Sequence, residues 1–329
     1  MGRMIEGVWH KDEDHRTASD GRFLRATTSF RDAVTADGSS GFRAEPGRYH
    51  LYVSHACPWA HRTMILRALR RLEDAISVSV VDPFTGDEGW HFSGGPGCIP
   101  DTVNGARYLR EIYKLARDDF TGRVSVPVLW DKREKTIVNN ESAEIVRMLN
   151  TEFNEWADGG PDLYPAALRG EIDAINETIY EHVNNGVYKT GFARSQAAYE
   201  DAFDALFATL DELEARLASQ RYLAGARITE ADWRLFPTLV RFDAVYVGHF
   251  KCNRRRIEDY PALGNYLRDL YQQPGIAETV NMAHIKGHYY ASHVSVNPTR
   301  IVPKGPELDF MRPHDRDRRF GTPAEEGAA

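Results

Sequence analysis

The chain has 329 residues, with 41 Lys and Arg against 48 Asp and Glu, so its formal net charge is −7 at pH 7. That length favours two domains, and 42% hydrophobic residues are enough to bury a core in each, which excludes wholesale disorder. The acidic balance disfavours a nucleic-acid partner, and the absence of an apolar run of ~18 residues disfavours a membrane protein.

Short β runs alternate with helical runs in the first half of the chain, after an arm that we expect to be irregular over residues 1–46. A small α/β domain is predicted over residues 47–157. Its elements in chain order are strands at 49–54 and 76–81, with a helix at 58–72 between them, then a long Gly-rich insert, strands at 126–130 and 136–138, and a helix at about 142–150.

Strand signals stop after the polar Asp-Gly-Gly-Pro break at residues 158–161. Apolar residues then recur every three or four positions, which predicts an all-α domain over residues 158–303. Thr229 and Asp232 have the spacing of a capping box at the start of one of its helices. A tail follows over residues 304–329, and we expect residues 323–329 to be disordered.

The three cysteines of the chain are Cys57, Cys98 and Cys252, without a CxxC pair and without the spacing of metal ligands. This pattern disfavours a disulfide framework and a metal site, and it favours the reducing cytoplasm. The first residues also lack the apolar segment of a signal peptide.

Cys57 directly follows the first strand of the α/β domain, and Pro58 stands where a helix should begin. Proline suits the first helical position, which puts Cys57 at the N-cap. The amides and dipole of that helix end stabilise a thiolate, the reactive form of cysteine. The alternative is a small buried cysteine that caps a turn. Because Ala60 replaces a second thiol, any disulfide must form with an external thiol.

Two further signals complete a predicted pocket for a small thiol peptide. Val126-Pro127 begins a strand, and a cis bond there would expose the backbone of Val126 to an extended peptide. Glu141-Ser142 opens the next helix, whose amides suit a carboxylate while Glu141 suits an amine. An ordinary edge-strand proline and ordinary helix capping are the alternatives for each signal taken singly.

These residues resemble the thioredoxin-like domain of the glutathione transferases, and longer stretches resemble one class of that superfamily, the glutathionyl-hydroquinone reductases or Xi class. The stretches are HACPWAHR (55–62), GW.F (89–92), NNGVYKTGFA (184–193), RFDAVYVGHFKCN (241–253), IKGHYY (285–290) and NPTRIVP (297–303). The resemblance covers about residues 4 to 303.

The resemblance implies the glutathione-transferase fold, an α/β thioredoxin-like N-terminal domain followed by an all-α C-terminal domain, and usually a homodimer. It implies a reductase that takes glutathione as co-substrate and removes glutathione from glutathionylated aromatic diols, releasing hydroquinone. Cys57 matches the nucleophile. The glutathione-binding positions match Trp90, Arg123, Val126, Glu141 and Ser142, and the quinone-side positions match Tyr188, Tyr246 and Tyr289.

The residue types fit that chemistry. Glutathione carries two carboxylates and an amine, which call for Arg123, helix-start amides and Glu141. Flat phenolic rings suit an aromatic diol, although each tyrosine taken singly is more often ordinary core packing. Trp90 taken singly could pack its own Gly-rich loop.

Two other functions compete with the reductase. An omega-like thioltransferase or dehydroascorbate reductase also uses a single helix-start cysteine, but three tyrosines favour an aromatic substrate. A non-catalytic binding module on the same fold is disfavoured by the presence of Cys57 and of a complete peptide pocket. A conjugating transferase is disfavoured because Cys57 would compete with glutathione as the nucleophile.

Overall fold

The computed structural model describes residues 2–11, 17–157 and 159–321, so the expected disorder at 323–329 lies outside the described residues. The chain forms two compact units. The first, called the sheet unit, falls within Met1–His15, Arg25–Gly160 and Glu278–Ser292. The second, called the helical unit, falls within Arg16–Leu24, Pro161–Ala277 and His293–Ala329. Both units are discontinuous in sequence, unlike the consecutive segments expected above.

The N-terminal arm contains regular structure, so the expectation of an irregular segment is wrong. Its strands are β1 (Arg3–Ile5), β2 (Val8–His10), β3 (Val34–Thr35) and β4 (Phe42–Arg43). β1 and β2 form an antiparallel hairpin, and β3 and β4 pair in parallel. These strands have two or three residues each, which is too short for a periodic pattern to reveal them.

The core of the sheet unit is a four-stranded mixed sheet. Its strands are β5 (Tyr49–Val53), β6 (Ile76–Val80), β7 (Val128–Asp131) and β8 (Thr136–Asn139), in the order β6-β5-β7-β8. β5 runs parallel to β6 and antiparallel to β7, and β7 runs antiparallel to β8. All five residues of β5 are buried, because this strand lies inside the sheet.

Among its described residues, the sheet unit has four α-helices: α1 (Pro58–Leu69), α2 (Leu109–Ala116), α3 (Ser142–Thr151) and, from the far end of the chain, α10 (Met282–Ser292). The predicted α/β order of strand, helix, strand, insert, two strands and helix is confirmed. α2 was not predicted, and it directly follows the Gly-rich insert, here defined as residues 82–108.

The helical unit is all-α, as predicted. Its α-helices are α4 (Arg169–Ile179), α5 (Gly186–Gly191), α6 (Gln196–Ser219), α7 (Glu230–Arg241), α8 (Val247–His249), α9 (Pro261–Tyr271) and α11 (Arg316–Phe320). Two π-helical turns, at Tyr180–Asn184 and Phe242–Tyr246, follow α4 and α7. The capping box at the start of α7 is confirmed, since the Thr229 N–H donates to Asp232 Oδ2 at 2.7 Å.

Of the helices formed by the described residues, none combines the length and the apolar character that crossing a bilayer requires.

Candidate active site

Cys57 lies between β5 and α1 and is the N-cap residue of that helix, with φ −79° and ψ 120°. Pro58 takes the first helical position, and the His61 N–H donates to the Cys57 carbonyl at 3.0 Å. The predicted helix start is therefore confirmed. The half-buried thiol faces the backbone of the next segment, since Cys57 Sγ lies 3.6 Å from the carbonyl oxygen of Val126.

The Val126-Pro127 peptide bond is cis, as expected for this position. The strand that follows begins at Val128 and not at Val126, so the expected strand start is wrong by two residues. Val126 therefore lies in the approach to β7 and outside its ladder. Its carbonyl oxygen faces the Cys57 thiol, and the residue is buried.

A buried tyrosine that the sequence analysis missed fixes this approach. The Tyr113 hydroxyl donates to the Ser125 carbonyl at 2.8 Å and accepts from the Ser125 N–H at 3.2 Å. It also accepts from Asn140 Nδ2 at 3.0 Å, next to the start of α3. Burial raises the pKa of the Tyr113 phenol, and the positive charge of Arg123 acts in the opposite direction. Arg123 itself is half-buried.

Glu141 is the N-cap residue of α3, and its Oε1 accepts from the Ala143 N–H at 3.2 Å. Its other oxygen accepts from Thr28 Oγ1 at 3.3 Å, so the N-terminal arm helps to orient the carboxylate. Ser142 is the first residue of the helix and is buried. The predicted helix start is confirmed, and it presents an acid beside the amides of a helix N-terminus.

Two arginines place positive charge near the cysteine helix. The guanidinium carbon of Arg62 lies 4.6 Å from the centre of the Trp59 ring, and that of Arg25 lies 4.8 Å from it. Both distances are within the range of cation–π attraction. Arg62 is buried, and its Nη1 lies 3.5 Å from Ser142 Oγ, so it connects α1 to the start of α3.

The two histidines beside Cys57 have structural surroundings. His61 is buried, and its Nε2 lies 2.8 Å from Thr279 Oγ1. The ring of His55 lies edge to face with that of His284, with centroids 5.5 Å apart. Both contacts join the start of α1 to the segment that carries α10, which supports a structural role for these histidines over a catalytic one.

Trp90 lies in the Gly-rich insert, and 8% of its surface is exposed. Its carbonyl accepts from the Leu109 N–H at 3.0 Å, at the start of α2. Its indole stacks on His288 of α10, with centroids 4.7 Å apart and planes inclined by 20°. The structure thus holds Trp90 from two helices of the sheet unit.

The three tyrosines fall into two groups. Tyr188 of α5 and Tyr246 of the second π-helical turn come together in the helical unit, with ring centroids 6.2 Å apart. Tyr246 is buried and stacks on Phe250, with centroids 5.6 Å apart, whereas Tyr188 is half-buried. Tyr289 is buried on α10 and belongs to the sheet unit with Cys57.

The other two cysteines are free thiols in environments that suppress reactivity. Cys252 is completely buried, and burial raises the pKa of its thiol far above the usual value. Cys98 is half-buried, and burial is also the largest cause of its raised pKa. Since the thiolate is the reactive form, Cys57 has the more suitable surroundings for chemistry.

Comparison with known proteins now gives the family. The family model described as "Glutathione S-transferase, N-terminal domain" matches residues 56–152, and that described as "Glutathione S-transferase, C-terminal domain" matches residues 196–269. Glutathionyl-hydroquinone reductase PcpF of Sphingobium chlorophenolicum is 54% identical over 306 residues, which are 93% of this chain and 96% of that protein. Glutathionyl-hydroquinone reductase YqjG of Escherichia coli is 52% identical, over 98% of this chain and 100% of that protein.

Solved structures agree with these relatives. A Xi-class glutathione transferase from Natrialba magadii has a TM-score of 0.93 and 55% identity, and the match covers 97% of this chain and 98% of that chain. The glutathione-bound structure of YqjG has a TM-score of 0.90 at 51% identity, over 97% of this chain and 100% of that chain. The predicted fold, a thioredoxin-like domain followed by an all-α domain, is confirmed. The chain belongs to the glutathionyl-hydroquinone reductases, the Xi class of the glutathione transferase superfamily.

Proposed function

We propose that this chain reduces glutathionyl-hydroquinones to hydroquinones through a mixed disulfide between Cys57 and glutathione. The observation that carries the proposal is the position of Cys57, which caps α1 with its Sγ 3.6 Å from the Val126 carbonyl. A thiol placed there lies beside the backbone on which a glutathione peptide would pair. The relatives named as reductases of this substrate support the choice of substrate.

The sheet unit offers a partner for each polar group of glutathione. The Val126 backbone suits the peptide groups of the ligand. The start of α3, with Ser142, suits one carboxylate, because helix N-termini favour anions. Glu141 suits the amine, and Arg123 suits the other carboxylate through a charge-assisted hydrogen bond. Trp90 supplies a flat apolar wall from the insert.

The reaction has two steps. The Cys57 thiolate attacks the glutathionyl sulfur, a Cys57–glutathione disulfide forms, and the bond from that sulfur to the ring carbon breaks. The electron pair of the broken bond stays on the ring carbon, which takes up a proton and leaves as hydroquinone. A second glutathione thiolate then attacks the mixed disulfide, releasing glutathione disulfide and the Cys57 thiolate.

The ring carbon needs a proton in the first step, or the ring must first rearrange to a ketone. A phenolic hydroxyl can serve either need, by donating to the ring oxygen or by delivering the proton. Tyr188, Tyr246 and Tyr289 are the candidates in this chain. Their rings also match the flat shape of an aromatic diol.

We further propose that the enzyme works without a metal, as a homodimer and in the cytoplasm. The cytoplasmic assignment is supported by the three free thiols, which suit a reducing compartment. Light scattering coupled to size-exclusion chromatography tests the dimer, and a monomer at micromolar concentration would contradict it. Dialysis against a chelator tests the proposal that no metal is needed, and we expect activity to survive it.

The function is tested by following free hydroquinone released from a synthetic glutathionyl-hydroquinone in the presence of glutathione. The same preparation is assayed with hydroxyethyl disulfide and with dehydroascorbate. Faster turnover of the hydroquinone adduct is the expected result. Preference for either of the other substrates would favour an omega-like thioltransferase or dehydroascorbate reductase, and no turnover of any of them would favour a binding module.

A further inference from the structure

One face of α10 holds the Gly-rich insert in place. Side chains four residues apart share a face of a helix, and three polar ones at this spacing contact the backbone of the insert. They are His284, His288 and Ser292, whose partners are Pro96, Pro83 and Thr85 respectively.

The hydrogen bonds of this face have a fixed direction. His288 Nδ1 lies 2.8 Å from the Pro83 carbonyl oxygen, and His284 Nε2 lies 2.7 Å from the Pro96 carbonyl oxygen. Because a carbonyl oxygen only accepts, the histidine nitrogen is the donor in each case. The approach is close, since a Cβ on Gly97 would lie 2.8 Å from His284 Nε2. The insert is therefore fitted to α10 at several points along its length.

His288 differs from the other two residues because it also contacts the side chain of Trp90. Its ring lies almost parallel to the indole, with centroids 4.7 Å apart and planes inclined by 20°. The Trp90 backbone is fixed separately, by the hydrogen bond from Leu109. The stack therefore restricts the rotation of the Trp90 side chain, which the backbone hydrogen bond does not fix.

We propose that His288 is a positioning residue for Trp90, and that it orders the indole for glutathione before the ligand arrives. The inference rests on the proposed function, in which Trp90 forms a wall of the glutathione site. A side chain that is already ordered loses less entropy when the ligand binds, so the stack increases affinity without touching glutathione. Tyr289 is the next residue of α10, so one helix places a glutathione-side ring and a quinone-side hydroxyl.

The test compares two variants that separate the two contacts of His288. His288→Asn keeps a nitrogen donor near the place of Nδ1 and removes the ring, whereas His288→Phe keeps a flat ring and removes the donor. Because His288→Asn loses the aromatic stack on Trp90, we expect it to raise the Kd of glutathione about fivefold. His288→Phe should restore the Kd to within about twofold of the wild-type value. Titration calorimetry with glutathione alone measures both.

Ser292→Ala is the matched control, because it removes another contact between the same face and the insert without touching Trp90. It should leave the Kd of glutathione unchanged. Turnover supplies a second readout, since His288→Asn should raise the KM of glutathione while kcat at saturation stays within about twofold. A merely structural role would lower Tm and kcat without moving the Kd.

Three outcomes would overturn the inference: an unchanged Kd in His288→Asn, an equal loss in Ser292→Ala, or a larger loss in His288→Phe than in His288→Asn. Should His288→Asn not fold, His288→Leu removes the flat ring and is judged by the same comparison with His288→Phe. Binding of glutathione needs no turnover. The inference therefore survives or fails separately from hydroquinone reduction.

Discussion

Tyr113 and Ser125 form a reciprocal pair, in which the tyrosine hydroxyl donates to the Ser125 carbonyl at 2.8 Å and accepts from the Ser125 N–H at 3.2 Å. The same oxygen accepts from Asn140 Nδ2 at 3.0 Å. Ser125 precedes Val126, and Asn140 precedes Glu141, so one buried hydroxyl joins the two segments that we assign to glutathione.

Tyr113→Phe removes that hydroxyl and keeps the packing of the ring. The free energy of unfolding should fall by about 1 to 3 kcal/mol, because buried polar groups of Ser125 and Asn140 lose their partner. The Kd of glutathione should rise about threefold or more, since the binding backbone is less well ordered. Urea unfolding and calorimetry measure the two effects. Tyr164→Phe, which removes an exposed hydroxyl bonded to Asp173, is the control and should change neither.

Cys57→Ser should abolish hydroquinone release and leave the fold intact, because no second thiol lies within the CPWA motif. A circular dichroism spectrum and a Tm like those of the wild type establish the fold. Cys98→Ser and Cys252→Ser are the controls and should retain turnover, since burial holds the pKa of both thiols above the usual value. A large loss in either control would reveal a resolving thiol.

The mixed disulfide can be detected directly. When the wild-type enzyme is incubated with a glutathionyl-hydroquinone and no free glutathione, it should retain one glutathione on Cys57. Intact-mass spectrometry should record the added mass, and a reductant should remove it. An adduct on another residue, or none at all, would contradict the two-step scheme.

The parts of the site that sequence could predict are those set by neighbouring residues. Cys57 followed by Pro58 specifies a helix start locally, and Glu141-Ser142 does the same for α3. Tyr113 could not be found in this way, because its partners lie 12 and 27 residues further along the chain. Its helix has only eight residues, too few for a firm periodic pattern.

The sequence also could not predict that α10 belongs to the sheet unit. The sequence analysis places residues 282–292 in the all-α domain over residues 158–303, and proximity in the chain favours that unit. The contacts that place it elsewhere, such as those of His284 with Pro96 and of His61 with Thr279, span 188 and 218 residues. Pattern arguments that use a window of one helix contain no information on such pairs.

The capping box of α7 should stabilise the helical unit more than an ordinary helix cap does. Asp232 is fully buried and accepts from the backbone of Thr229 and Leu223 and from the Tyr266 hydroxyl, at 2.7 to 2.9 Å. Asp232→Ala leaves these buried donors without their acceptor and should lower the free energy of unfolding by about 3 kcal/mol or more. Thr229→Ala removes one hydroxyl, which takes part in the capping box and donates to Asp232 Oδ2 at 3.0 Å, and it should cost about 1 kcal/mol. Equal losses in urea unfolding would show that the shared carboxylate has no special role.

His50 should make the protein less stable in mild acid. It lies fully buried on β5, with its ring nitrogens 2.7 Å from Ser77 Oγ and 2.9 Å from Ser79 Oγ. Burial lowers its pKa to about 4, whereas the unfolded chain has the ordinary value of about 6.5. Between these values the unfolded state binds more protons, so the free energy of unfolding falls as the pH falls, by up to about 1.4 kcal/mol per unit.

Above pH 6.5 His50 contributes no slope, because it is neutral in both states. His50→Gln has no titrating ring and should show a shallower loss of Tm between pH 6.5 and pH 4 than the wild type. Scanning calorimetry across that range makes the comparison. Parallel curves for the two proteins would mean that other groups cause the acid sensitivity.

The three tyrosines should separate by role when each is changed to phenylalanine. The ring stays in every variant, so a tyrosine that only stacks should lose little activity. Positioned proton transfer typically contributes about 10²- to 10⁴-fold in rate. We therefore expect at least one variant among Tyr188→Phe, Tyr246→Phe and Tyr289→Phe to lower turnover of glutathionyl-hydroquinone by about tenfold or more, roughly 1.4 kcal/mol in barrier.

The discriminating measurement is the reduction of hydroxyethyl disulfide by the same three variants. A thiolate leaving group needs no proton on a ring carbon, so a tyrosine that serves proton transfer should matter only for the hydroquinone adduct. Equal loss on both substrates would mean that the tyrosine supports Cys57 or the glutathione site. Of the three tyrosines, Tyr289 is the candidate for that outcome, because it belongs to the sheet unit with Cys57 and follows His288. Full hydroquinone turnover in all three variants would mean that none of the three hydroxyls serves proton transfer, and the proton would have to come from solvent.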